Sequence, residues 1–143
     1  MNKGTIKNAL AISAGMAVIV LGDVLLGANI EIFSGLATFT PAWVADVFLV
    51  PFVSGMVVSR IVKSRNGKWL ACLPPLFVRC LTYFYMYLYV VHDGKDFFYH
   101  LNLYYWGPTV ILVVEFANLG GILGDVLAGA YGAKKTAPSD REA

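Results

Sequence analysis

The chain has little charge: 11 Lys or Arg and 9 Asp or Glu make up 14% of its 143 residues, with a net charge of +2. An ordinary soluble domain carries about a quarter charged residues, so a water-facing surface of the usual kind is excluded. The basic residues stand in short clusters beside apolar segments rather than along one face, and no nucleic-acid partner is expected. Only two cysteines occur, Cys72 and Cys80. Eight residues apart on one helix, they are about 12 Å apart along its axis and cannot bridge. Without a CxxC pattern they read as small apolar filler. Gly-rich phosphate loops and dinucleotide fingerprints are missing, and Ser13, Ser54 and Ser59 lie in apolar stretches with no neighbouring His. No catalytic residue and no cofactor is expected.

What is abundant is apolar: 58% of the residues are hydrophobic and the mean hydropathy is +0.67. Four stretches near 20 residues long stand out, at about 8–28, 43–62, 70–91 and 107–131. That length suits a helix crossing a hydrocarbon core of roughly 30 Å. The expected fold is all-α, a polytopic membrane protein with about four transmembrane helices in one small bundle. Residues 1–135 form its single domain and 136–143 a disordered cytoplasmic tail. Pro51 and Pro74-Pro75 fall inside spans, where neighbouring helices can satisfy the freed carbonyls, and kinks are expected there. The apolar connection 29–40 has room for a short interfacial helix.

Basic residues in the connections orient the spans. Lys3 and Lys7 precede the first, Lys63, Arg65 and Lys68 separate the second from the third, and Lys134, Lys135 and Arg141 follow the fourth, whereas the other two connections hold only Lys95. Both termini are therefore expected on the cytoplasmic side, as in a bacterial inner (cytoplasmic) membrane. Tyr85, Tyr87, Tyr89, Tyr99, Tyr104, Tyr105, Trp106 and Trp43 crowd the opposite side as an interfacial belt. A secretory signal also begins with a basic lead and an apolar run, but this run is long, contains Asp23 and lacks a small-x-small site after it. Leu21–Ala28 (LGDVLLGA) and Leu123–Ala130 (LGDVLAGA) match at seven of eight positions. Eight residues rich in Gly, Leu and Val recur by chance in membrane helices, so the match does not establish the inverted repeat found in transporters.

Ionisable side chains within hydrocarbon are costly and turn towards partners inside the protein. An intramembrane polar network of Asp23, Asp46, Arg60, Arg79, Glu115, Asn118 and Asp125 is expected. At 1.5 Å per residue from each segment's centre, Arg79 lies near the midplane with Glu115 about 6 Å to the outer side, which makes them a pair. Asp125 and Arg60, about 9 and 11 Å inward, make a second pair, and Asp23 and Asp46 are left without basic partners. At 100° per residue Glu115, Asn118 and Asp125 share one stripe of the last span, with the GxxxG residues Gly120 and Gly124 on its other side for close helix packing. Asp46 and Arg60 likewise share a stripe of the second span.

In the outer connection His92, Asp93, Asp96 and His100 are of metal-ligating type. Their spacing matches no metal motif, and interface anchoring accounts for them better, so His92, Asp96 and His100 remain weak candidates and no metal is expected. The function expected from all this is that of a small non-enzymatic accessory or assembly subunit. Its partners are the lipid bilayer and other membrane helices, from copies of itself or from a larger complex. The competing expectation is a small oligomeric transporter or channel using the acidic network.

Overall fold

A computed structural model describes residues 3–63, 67–90 and 103–129. All regular structure among them is helical. Helix α1 runs Lys3–Leu26, α2 Pro41–Val44, α3 Val50–Val62, α4 Gly67–Ala71, α5 Leu73–Tyr85 and α6 Leu103–Leu127. A π-helical turn, Ala45–Leu49, joins α2 to α3, and another, Met86–Val90, extends α5. Four stretches are long and apolar enough to cross a membrane: Gly4–Leu26, Pro41–Val62, Gly67–Tyr89 and Leu103–Leu127. The protein is a multi-pass membrane protein built as a helical bundle.

Proline sets the irregularities. Pro51 sits in the first turn of α3, straight after the π turn, and Pro74 and Pro75 open α5 where the chain turns at Cys72. A proline lacks the N–H that would continue the preceding ladder, so the helix re-registers just before it. Thr40 caps the second span, its hydroxyl accepting from Trp43 N at 3.1 Å, with Pro41 at the first helical position.

Span two is central. It packs against α1 on one side and α6 on the other, while α4 and α5 lean on α6 and α1. Small residues bring these backbones together. A Cβ at Gly55 would collide with the Ala117 carbonyl, and one at Gly120 with the Phe52 carbonyl. The GxxxG pair therefore closes the α3–α6 contact. The connection 29–40 holds one short 3-10 helix, Gly35–Thr38, and its Ile30 and Glu31 fold into the bundle. Phe33 and Phe39 pin it to Tyr105 and Trp43, with ring centroids 4.8 and 4.9 Å apart. Trp43 Nε1 donates to Tyr105 Oη at 2.6 Å. This end of the bundle is the aromatic end; the other, where Lys7 and Lys63 lie, is the basic end.

Candidate functional site

Arg79 lies near the middle of the third span and is almost fully buried. A guanidinium offers five donors in a rigid fork, so burying it requires several acceptors in its plane. Three carboxylates supply them. Nη1 and Nη2 donate to Asp23 Oδ2 and Oδ1 at 3.0 and 2.8 Å, a bidentate grip. Nη2 also donates to Asp46 Oδ2 at 3.0 Å, and Nη1 makes a longer contact of 3.4 Å with Glu31 Oε1. The acids come from α1, from the π turn of span two and from the connection between them. The cluster thus ties together three spans and the loop that covers them.

Burial differs among the acids. Asp46 and Glu31 are closed off, whereas the Asp23 side chain remains 20% exposed. Asp23 and Glu31 line a cavity of about 310 Å³ with Asn29 and Thr82. Removal from water pushes the Glu31 carboxyl above its ordinary range, opposed by the charge of Arg79. With three acids to one base, the cluster holds an excess of two negative charges if all are ionised. It can lock the bundle, and it can also accept a proton or a cation beside the cavity.

Asp23, Asp46 and Arg79 come together as members of one network, but the pairing differs from that expected. Asp23 and Asp46 do have a basic partner, and it is Arg79 that serves them instead of Glu115. Glu115 lies nine residues from Gly124, about 180° around α6, and is exposed, with Cys72 of the third span within electrostatic reach. Close packing of Gly120 and Gly124 decides which face of α6 turns inward, and the stripe through Glu115 is not that face. Arg60 is exposed while Asp125 is fully buried, so they do not pair either. The π turn at Ala45–Leu49 explains the divergence of Asp46 from Arg60, because one inserted residue shifts the later helix by about 100°.

Asp125 packs against Gly67, whose other close neighbour is Ser59. Neither of its oxygens has a hydrogen-bond partner among the described residues, and Ser59 Oγ and Asn118 Oδ1 share that condition. Among the described residues, no ion pair links Arg60, Glu115, Asn118 and Asp125 into the network expected of them. Glu31 is the member of the cluster that the pattern of spans does not point to. Its signal was weak: a lone acid in an otherwise apolar connection, NIEIF, outside every span. His92, Asp93, Asp96 and His100, and the tail 136–143, lie outside the described residues. No family model, no curated protein and no solved structure matches this chain.

Proposed function

We propose that the protein is a non-enzymatic accessory or assembly subunit of a membrane complex and works by lateral helix packing. The observation that carries this reading is Glu115. It has twelve residues of α6 on either side, so it sits at mid-span, and it is exposed with no ion pair among the described residues. Around it, Ile111, Leu119, Ile122 and Val126 form an outward apolar stripe at helical spacing. A carboxylate at mid-depth facing hydrocarbon costs on the order of 3 kcal/mol on insertion scales. A neighbouring helix that offers a donor or a cation removes that cost, which favours a partner within the bilayer. The basic connections support a bacterial inner-membrane setting with both termini cytoplasmic.

The assembly is tested by solubilising native membranes in mild detergent and sizing the tagged protein. The wild-type chain, 15.6 kDa alone, should migrate in a larger particle. Glu115→Lys should release it while leaving the purified subunit about as stable as before, because Glu115 is exposed and has no ion pair among the described residues. A particle of unchanged size in Glu115→Lys refutes the reading.

One observation favours a second reading, that of a small transporter or channel. The Arg79 cluster has surplus carboxylates, and Asp23 opens onto the 310 Å³ cavity. Proteoliposomes that carry a proton or cation flux abolished by Asp23→Asn would support it.

A further inference from the structure

At the basic end a groove of about 790 Å³ runs between α1, α3 and the α4–α5 segment. Its walls differ in chemistry. Val62, Leu70 and Leu73 make an apolar side, while Lys7 and Lys63 bring two cations from two different spans. Neither lysine has an ion-pair partner among the described residues. Trp69 lies across the groove, 67% exposed, with Lys68 Nζ 5.7 Å from its ring centroid. Tryptophan and lysine at the end of a span occupy the level of lipid headgroups.

Lys63 provides an independent observation. It terminates α3 in the left-handed conformation, φ 50°, and is the one non-glycine residue with positive φ among those described. Helices that end this way normally place Gly there, because a Cβ is strained in that region. A strained backbone that carries a charged side chain to the rim of a groove marks a position held by more than folding.

We propose that this groove binds one anionic phospholipid, its phosphate between Lys7 and Lys63 and an acyl chain along Val62, Leu70 and Leu73. The charge is complementary, and the apolar wall continues into the hydrocarbon region, as a free anion does not require. Basic pockets between transmembrane helices hold anionic headgroups by this chemistry. The site is separate from the Glu115 stripe and stands whether or not that stripe binds a partner.

The test uses the full chain purified in neutral detergent, with phosphatidylglycerol, phosphatidylcholine and inorganic phosphate as probes. Phosphatidylglycerol should raise Tm saturably, on the order of 5 °C at ten times its Kd, and the other two should not. Lys7→Gln and Lys63→Gly should each weaken that binding about fivefold, and together about 25-fold, as follows from roughly 1 kcal/mol per basic residue at an anionic surface. Lys63→Gly also separates binding from folding. Glycine relieves the positive φ, so its lipid-free Tm should hold or rise while affinity falls. Undiminished affinity in the double variant overturns the site, and so does equal protection by phosphatidylcholine. Equal protection by inorganic phosphate overturns the assignment to a lipid. Should Lys63→Gly fail to fold, Lys7→Gln decides alone, since Lys7 lies within α1 and away from the strained turn.

Discussion

Towards the aromatic end, a guanidinium buried near mid-span is gripped by carboxylates from three parts of the chain, whereas towards the basic end an equally buried carboxylate, Asp125, has neither oxygen hydrogen-bonded among the described residues. The first region binds its elements through paired charge. The second is held by close backbone contact, with Gly124 against the backbone of Met56 and Gly67 against that of Ser59. The contrast teaches that a charge inside a span says little about cohesion until its partner is known. Asp23, Asp46 and Asp125 look alike along the chain, and among the described residues the first two join helices through Arg79 while Asp125 has no ion pair.

The largest effect should follow from Arg79→Leu. It strands three buried or half-buried carboxylates without a counter-charge, and a broken buried pair costs about 3–5 kcal/mol. Denaturation of the purified protein in detergent should show a loss of at least that size. Combining Arg79→Leu with Asp23→Leu and Asp46→Leu should recover much of it. A triple variant no more stable than Arg79→Leu alone breaks the view that the cluster is one unit.

Next in size is Gly120→Ala. The added Cβ meets the Phe52 carbonyl, a rigid backbone atom, so the helices must separate. The expected loss is about 1–3 kcal/mol, the range for overpacked interiors. A neutral outcome would mean that the α3–α6 contact is looser than its geometry implies.

A paired comparison sharpens the contrast further. Asp23→Asn weakens a charge-assisted bidentate bond at a partly exposed site and should cost about 1–2 kcal/mol. Asp125→Asn removes a charge that no described group pairs, and should be neutral or slightly stabilising. Equal losses in the two variants, measured by the same denaturation, would erase the distinction between the two ends.

The smallest effect concerns pH. Burial raises the Glu31 pKa in the folded protein, so the folded state binds its proton more tightly than the unfolded chain does. Its contribution is complete below the ordinary Glu value and is lost as pH rises through the raised one. Stability of the wild type should therefore decline over that interval, and Glu31→Gln should flatten the decline. An identical pH profile for both would show that Arg79 fully offsets the burial of Glu31.

The membrane character of the chain, its four crossings and their approximate ends were determined by the sequence alone, because about 20 apolar residues in hydrocarbon have no good alternative to a helix. The presence of costly charges in the spans was legible for the same reason. Their partners were not. Depth counted along an ideal helix ignores rotation, and three features absent from that count decided the outcome. Gly120 and Gly124 turned one face of α6 inward and left Glu115 outside. The π turn at Ala45–Leu49 shifted Arg60 out of line with Asp46. The connection after α1 folded back to bring Glu31 to Arg79. Local hydrophobicity decides which residues enter the membrane; which of them meet depends on contacts between segments far apart in the chain, and those exist only once the bundle has packed.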